Sequence, residues 1–258
     1  MELEKIQKEL LAMLKDFASY CDENHLRYYL AGGTLLGAVR HGGFIPWDDD
    51  VDVIMPRPDF EQLIEGMNQG GLSGYELLDD SKDVKYARAF AKFKNPSIRV
   101  NENLKSETQA LWLDIFPMDG MPESVDEFQM KMKKAATLEW CQWQAESAGQ
   151  DIKNPLKRLA KAIVFYKYRK KGSCYYARQV TEMGKNYPFD ESKYVGCFCG
   201  RYGEKERILR EVFEPRIKVP FETEQFYIST GYDIYLQNLY GDYTIIPDEK
   251  DKKRHIKQ

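Results

Sequence analysis

The sequence has no long apolar run and little excess charge of either sign. No window holds the roughly 18 apolar residues of a membrane-spanning helix. The first segment carries Glu2, Glu4 and Glu9 and lacks the uninterrupted apolar stretch of a signal peptide. Basic and acidic residues number 38 and 41, so the net charge of −3 provides no overall attraction to nucleic acid. We therefore expect a cytoplasmic protein that does not bind nucleic acid.

Histidine and cysteine are also scarce, with three and five residues in a chain of 258. An odd number of widely spaced cysteines does not suggest a disulfide framework. Cys197 and Cys199 form a C-x-C pair, but no second pair is present to complete a zinc site. We expect reduced thiols, as in cytosolic proteins.

Apolar residues are sufficient for a substantial core, at 43% of the chain, and its length suits one large domain or two small ones. Helix and strand patterns alternate up to about residue 120, and helical patterns dominate from Glu123 to about Gly184. The sequence thus predicts an α/β unit over residues 1–120. It predicts a mostly helical part over residues 121–258, with a tail of short strands and one helix packing on the first unit.

Several elements can be placed. Apolar spacing predicts a helix over residues 3–20 and a strand at Leu26–Ala31. Gly32-Gly33 then forms a turn, and Thr34 caps the next helix. Further strands are predicted at "DVDVIMP", "YELLD", "YARAFAKF" and "ALWLDIFPMDG", the last ended by Pro117, with a helix at "RPDFEQLIEGMNQ". Breaks in the helical part are expected near Asn154-Pro155 and Gly172-Ser173.

Four carboxylates occupy five positions, at Asp48, Asp49, Asp50 and Asp52. Side chains two apart on a strand share a face, so Asp50 and Asp52 should lie side by side. Two adjacent carboxylates repel unless one is protonated or a cation lies between them, and a hard divalent ion such as Mg²⁺ prefers such oxygen ligands. Asp114 interrupts the apolar run "LWLDIFP" and is a natural third ligand if the two strands are neighbours.

The glycine turn upstream supports a phosphate site. Glycine lets a backbone approach a ligand closely, and N–H groups at a helix start attract phosphate. Gly33 and Thr34 are therefore candidate phosphate contacts. Spacing alone indicates a site for a metal and a phosphate, and no more.

Three segments together resemble the LicD family of phosphocholine transferases, within the nucleotidyltransferase superfamily and related to the fukutin group. They are "AGGTLLGAVRHGGFIPWDDDVDV", "LWLDIFPMDG" and "GYDIYLQNLYGDY" with the following Pro, Glu-Lys and Arg-His. The resemblance implies a nucleotidyltransferase-like mixed sheet with helices. It also implies transfer of phosphocholine from CDP-choline to a sugar hydroxyl of a teichoic acid or lipopolysaccharide, with release of CMP.

The resemblance assigns catalytic and metal-binding roles to Asp50, Asp52 and Asp114. They would hold one or two Mg²⁺ ions, with Mn²⁺ as a substitute. The predicted substrate contacts are Gly33, Thr34, Arg40, Asp48, Asp49, Lys92 and His255. For Asp48 and Asp49 a solvated turn explains the sequence equally well, and for Lys92 an exposed strand lysine does.

The aromatic residues and the basic segment leave alternatives open. Trp47, Tyr235, Tyr240 and Tyr243 could enclose a quaternary ammonium, although core packing accounts for most aromatics at such spacing. Residues 153–185 hold ten Lys or Arg and one acid, Glu182. A solvated helix face is one interpretation of this segment. The other is peripheral contact with an anionic membrane at its cytoplasmic face, where lipid-linked glycan acceptors lie.

Other functions share parts of the pattern. A CDP-linked glycerol or ribitol could replace CDP-choline, and a true nucleotidyltransferase would use the same three aspartates. A glycosyltransferase could use Asp-x-Asp, but only about fifty residues precede that motif here. A catalytically silent scaffold is disfavoured by the intact Gly-Gly-Thr and the three acids.

Overall fold

The computed structural model describes residues 2–81, 86–102, 108–146, 154–246 and 256–257. It is a mixed α/β structure, as the sequence predicts. The helices are α1 (Leu3–Glu23), α2 (Gly32–His41), α3 (Arg57–Asn68), α4 (Val125–Glu146), α5 (Pro155–Val164), α6 (Tyr166–Lys171), α7 (Ser173–Lys185) and α8 (Tyr232–Tyr240). The strands are β1 (Tyr29–Leu30), β2 (Asp52–Pro56), β3 (Glu76–Leu78), β4 (Ala91–Glu102), β5 (Thr108–Met121), β6 (Tyr194–Gly196), β7 (Ile208–Leu209), β8 (Arg216–Phe221), β9 (Glu224–Ser229) and β10 (Ile256–Lys257).

The main sheet is mixed and has the order β1-β2-β5-β4-β10. In addition, β3 pairs with β4, β6 pairs with β5, and β7 pairs with β6. Only the pair β2–β5 is parallel among the described strands, and the intervening chain supplies the crossover that a parallel pair requires. Strands β8 and β9 form a separate antiparallel hairpin.

Helix α1 packs on the sheet through one apolar stripe. Ile6, Leu10, Leu14 and Phe17 recur at helical spacing and are all buried. The Phe17 ring meets the Phe93 ring of β4 edge-on, with centroids 5.7 Å apart. This stripe fixes the helix across the strands that carry the candidate site.

The hydrophobic core draws on both predicted parts of the chain. Its main cluster extends from Ile6 to Ile256 and includes β9 and α8 side chains. A smaller cluster lies between α4 and α7 and includes Phe128, Met132 and Val180. The predicted division near residue 120 falls at the end of β5, and its assignment to two units stays a prediction.

Several predicted strand limits are wrong. The strand predicted at Leu26–Ala31 comprises only Tyr29–Leu30. The strand predicted at residues 86–93 begins only at Ala91 and continues to Glu102. Strand β5 does not end at Pro117 but runs on to Met121. Proline is tolerated there because β4 pairs with β5 only up to Ile115, so on that edge the missing N–H breaks no ladder bond. Pro117 still aligns with Met55 on the parallel side.

The predicted breaks of the helical part are confirmed. The Asn154 side chain caps α5 by accepting hydrogen bonds from the N–H groups of Leu156 and Lys157. Gly172 separates α6 from α7 with a φ of +82°, which favours glycine. No helix in the described ranges combines the length and apolar character needed to cross a bilayer. None of the five cysteines, all of which are described, forms a disulfide.

A buried ion pair joins α3 to β5. The Arg57 guanidinium donates through Nε to Asp119 Oδ1 at 2.7 Å and through Nη2 to Asp119 Oδ2 at 2.8 Å. Both residues are buried, whereas Glu61, which also contacts Arg57, is substantially exposed. Removing one partner of such a pair leaves an uncompensated buried charge.

We expect Asp119→Ala to lower the free energy of unfolding by about 3 to 5 kcal/mol, because the Arg57 charge then remains buried without its carboxylate. Urea denaturation monitored by circular dichroism measures the change. The matched control is Glu61→Gln, for which the expected change is below about 1 kcal/mol because Glu61 is exposed to solvent and Arg57 keeps its pair with Asp119. Equal effects of the two substitutions would contradict a special role for the buried pair.

Candidate active site

The centre of the site is a row of three side-chain positions across three neighbouring strands. Asp52 of β2 aligns with Asp114 of β5, and Asp114 aligns with Lys92 of β4. The Asp114 N–H donates to the Val51 carbonyl at 2.9 Å, which fixes this register. The predicted adjacency of the Asp52 and Asp114 strands is therefore confirmed, whereas the metal-binding role of these residues stays a prediction.

Lys92 provides the positive charge in this row. Its Nζ lies 3.8 Å from Asp114 Oδ1 and 3.9 Å from the centre of the Trp112 ring. Both partners of the ion pair are mostly buried, so solvent screens their interaction weakly. Lys92 therefore lies beside the carboxylates, where it can also meet an anionic ligand.

Two further carboxylates, those of Asp48 and Asp50, lie close to Asp52 at the start of β2. Burial, followed by the nearby charges of Asp50, Asp114 and Asp48, raises the pKa of Asp52 well above its usual range. Burial and the neighbouring Asp50 raise the pKa of Asp48 to about 9. Val51 and Val53 point the other way and are fully buried in the core, as the alternation predicts. Strand β2 itself begins at Asp52, so Asp50 lies just before it rather than within it.

The two glycines make room for these carboxylates. A Cβ on Gly32 would lie 3.0 Å from Asp52 Oδ2, and a Cβ on Gly33 would lie 2.9 Å from Asp48 Oδ2. Gly32 also has a φ of +52°, a conformation that other residues rarely adopt. The predicted turn at Gly32-Gly33 is wrong, because α2 already begins at Gly32.

Thr34 does not cap α2 either. It lies inside the helix, and its Oγ1 accepts a hydrogen bond from the Asp52 N–H at 2.9 Å. Because Asp52 opens β2, its N–H is free to bond sideways to a side chain. Thr34 thereby ties the helix start to the strand that carries Asp52.

Asp49 and Arg40, two of the predicted substrate contacts, form hydrogen bonds with C-terminal segments of the chain. Asp49 is buried, and its Oδ2 accepts a hydrogen bond from the Ile256 N–H at 2.8 Å. Arg40 donates through Nη1 to the carbonyls of Tyr243 and Ile245, at 3.0 and 3.3 Å. These bonds hold the segment after α8 and strand β10 beside the site. A role of either residue toward substrate stays a prediction.

Other predicted residues fall at the edge of the site or beyond the described residues. Tyr240 is near Asp52, since the Asp52 charge contributes to the raised pKa of its hydroxyl, after burial and Tyr202. Tyr235 is buried in the core, and Tyr243 Oη donates to Asp233 at 2.5 Å. His255 lies outside the described residues.

Arg201 and Tyr202 belong to the site and were missed by the sequence analysis. The positive charge of Arg201 acts on Asp52 and opposes the rise of its pKa. The Tyr202 hydroxyl lies 2.8 Å from that of Tyr240 and forms a pair of phenols close to the carboxylates. Nothing local in "CGRYGEKE" signals this position, because it depends on β6 pairing with the far end of β5.

In chemical type, the carboxylate oxygens of the site match a hard divalent cation. Carboxylate oxygens are the ligands that Mg²⁺ prefers, and a cation among Asp50, Asp52 and Asp114 would remove the repulsion that raises the pKa of Asp52. Within the described ranges, no three Asp, Glu, His or Cys side chains stand at the spacing of a complete metal site. The assignment of Asp50, Asp52 and Asp114 as metal ligands therefore stays a prediction.

Comparison with known proteins identifies the family. The model of the LicD/FKTN/FKRP nucleotidyltransferase domain matches residues 25–160, which is more than half of the chain and includes the whole Asp52, Asp114 and Lys92 row. The chain belongs to this family. The predicted membership of the LicD family of transferases is therefore confirmed.

Relatives cover the chain to different extents. The lipopolysaccharide cholinephosphotransferase LicD of Haemophilus influenzae is 29% identical over 99% of this chain and 96% of its own length. Human ribitol 5-phosphate transferase FKRP is 68% identical over 28 residues, which are 11% of this chain and 6% of that protein. Mannosyltransferase regulator 4 of Saccharomyces cerevisiae is 26% identical over 43% of this chain and 9% of its own length.

A buried glutamate supports the loop that carries Arg201. Glu206 Oε1 accepts a hydrogen bond from the Tyr202 N–H at 3.3 Å, and burial raises the pKa of Glu206 from 4.5 to about 7. Between pH 4.5 and about 7, the Glu206 carboxyl group is therefore protonated in the folded state and ionised in the unfolded chain. The contribution of Glu206 to the free energy of unfolding therefore falls as the pH rises from 4.5 through 7.

We expect Glu206→Gln to stabilise the protein more at pH 8.5 than at pH 5.5, by on the order of 2 kcal/mol, because glutamine keeps the acceptor oxygen and never ionises. Urea denaturation at the two pH values measures the difference. The exposed Glu204→Gln serves as the control and should show no such pH dependence. A Glu206→Gln effect that is equal at both pH values would exclude a raised pKa.

Proposed function

We propose that the chain transfers phosphocholine from CDP-choline to a sugar hydroxyl of a cell-surface glycan of lipopolysaccharide or teichoic acid type and releases CMP. The observation that carries the proposal is the row of Asp52, Asp114 and Lys92 beside the glycines that open α2. The relative named for this activity in Haemophilus influenzae aligns with nearly the entire chain, which supports the choice of phosphocholine.

Asp50, Asp52 and Asp114 would hold Mg²⁺, which when bound neutralises charge on the transferred phosphate and on CMP. Lys92 orients Asp114 and adds a positive charge at the same edge of the sheet. Gly33 lies in the first turn of α2 and would contact the diphosphate there, because N–H groups at a helix start favour anions. Thr34 acts through Asp52, since its hydroxyl fixes the backbone that carries this carboxylate.

The reaction is a displacement at phosphorus. The acceptor hydroxyl oxygen attacks the phosphorus that carries choline, and the bond from this phosphorus to the bridging oxygen breaks. CMP leaves with that oxygen, and a site carboxylate takes the hydroxyl proton. A cation held among these carboxylates would relieve the repulsion that raises the pKa of Asp52, so that a carboxylate of the site would be ionised and able to accept this proton.

Transfer of a CDP-linked polyol phosphate is the second candidate. The 28-residue match to a ribitol 5-phosphate transferase, at 68% identity, favours it. The purified chain should therefore be incubated with CDP-choline, CDP-glycerol and CDP-ribitol, with and without Mg²⁺, while CMP release and thermal stability are measured. Stabilisation by CDP-choline alone supports the first function, and stabilisation by CDP-ribitol or CDP-glycerol supports the second. Pyrophosphate release from nucleoside triphosphates would instead indicate a nucleotidyltransferase.

Asp52→Asn and Asp114→Asn should each reduce CMP release by on the order of a hundredfold or more, because each removes a charge from the metal and phosphate site. Asp52→Asn should remain folded, since Asp52 lies among repelling carboxylates and asparagine relieves this repulsion. The exposed Asp190→Asn is the matched control and should retain full activity. Activity of both site variants within about threefold of the wild type would refute the proposed site.

Arg201→Gln should raise the KM for the CDP-linked donor about tenfold, because it removes the cation that lies near Asp52 and can contact a phosphate. Arg201→Lys keeps the charge but loses the planar guanidinium group, so its KM should lie between those of the wild type and Arg201→Gln. Steady-state kinetics of CMP release separates KM from kcat. The exposed Lys5→Gln provides a control for the lost charge. An unchanged KM in Arg201→Gln would remove Arg201 from the donor site.

A further inference from the structure

An apolar surface is exposed on the helical part, outside the candidate active site. On α5, Leu156 is 76% exposed, Leu159 59% and Ile163 68%. Their spacing of three and four residues places them on one face of the helix. None of the α5 side chains whose burial is described is buried. A helix of a globular protein normally turns such a stripe toward the core.

Exposed aromatic residues also lie on two further helices, α4 and α6, of which α6 contacts both α4 and α5. Trp140 and Trp143 of α4 are 47% and 58% exposed, and Tyr166 of α6 is 64% exposed. The Trp140 ring lies 5.4 Å from the Tyr168 ring of α6, so α4 and α6 meet here. Tryptophan and tyrosine, with an apolar body and a polar group, are enriched at membrane–water interfaces.

The charges around the apolar stripe are almost all positive. In α5, Lys157, Arg158 and Lys161 occupy the opposite face. Helix α6 follows with Lys167, Arg169, Lys170 and Lys171, and neither helix contains an acid. An amphipathic helix of this kind, with a basic polar face, is typical of peptides that lie in the headgroup region of a bilayer.

Helix α4 also connects this surface to the active site. The buried Gln142 donates through Nε2 to the Ala87 carbonyl at 2.5 Å, and the exposed Glu146 pairs with Arg88 at 2.7 Å. The adjacent Tyr86 is close enough to Asp114 for that carboxylate to contribute, after burial, to the raised pKa of its hydroxyl. One helix therefore bears the exposed tryptophans on one side and contacts the rim of the site on the other.

We infer that this surface, formed by α5, α6 and the exposed tryptophans of α4, docks the protein on an anionic lipid bilayer. The apolar stripe enters the interface, and the flanking cations contact acidic headgroups. Charge complementarity selects the bilayer over a second copy of the chain, because two such basic surfaces would repel each other. In a consequence that rests on the proposed function, docking holds the protein at the surface where a lipid-linked glycan acceptor would lie.

The test is flotation of the purified chain with vesicles of phosphatidylcholine alone and of equimolar phosphatidylcholine and phosphatidylglycerol. The wild type should float with the anionic vesicles only and should be released by high salt. Leu159→Glu combined with Ile163→Glu should weaken binding at least tenfold. Replacing the four basic residues of α6 by Gln should weaken it on the order of a hundredfold.

The matched control is Val125→Glu combined with Ile217→Glu, which places the same charges on exposed apolar positions outside this surface and should leave binding unchanged. Quenching of tryptophan fluorescence by brominated lipid should be lost in Trp140→Phe combined with Trp143→Phe. Circular dichroism and thermal denaturation verify that each variant is folded.

Equal flotation of the wild type and both test variants, or no flotation of the wild type, overturns the inference. So does a wild-type dimer in analytical ultracentrifugation that Leu159→Glu with Ile163→Glu dissociates, because the occupant is then a second copy. The vesicles contain no CDP-linked donor, so the outcome is independent of whether the proposed transfer occurs.

Discussion

The mutual repulsion of carboxylates at the start of a parallel strand pair is the constraint on which this site depends. Register places Asp52 beside Asp114, and Asp48 and Asp50 add negative charge next to them. Crowded carboxylates of this kind are typical of functional sites, where backbone pairing holds the residues in place and a bound cation or ligand would offset their negative charge. Lys92 and Arg201 supply part of the balancing positive charge, from two unrelated segments.

The surrounding structure serves to hold this row. The Thr34 hydroxyl bonds to the Asp52 backbone, and the two glycines leave space for the carboxylate oxygens. Asp49 and Arg40 secure the C-terminal segments against the same region. The long motif by which the family is recognised therefore combines residues of the carboxylate site with residues that hold this site to the rest of the fold.

The helical part adds a surface of a different character. Its core side packs on α7 and contacts the segment that carries Tyr86, whereas its outer side presents leucine, isoleucine and tryptophan among cations. Protein surfaces of this composition are uncommon unless a partner covers them. The proposed transfer and the inferred bilayer contact agree in one respect, since both place a phosphate-bearing ligand near positive charge.

The sequence by itself determined the fold class, the helix stripes, the breaks at Asn154 and Gly172, and the family, because these depend on local periodicity, turn residues and contiguous motifs. It also indicated that Asp50, Asp52 and Asp114 act together. Only the tertiary structure decided that Thr34 bonds to Asp52, that β5 continues through Pro117, that the charge of Arg201 acts on Asp52, and that Tyr202 pairs with Tyr240. Those features depend on which strands pair and in which register, and strand pairing between distant segments leaves no local signal in the chain.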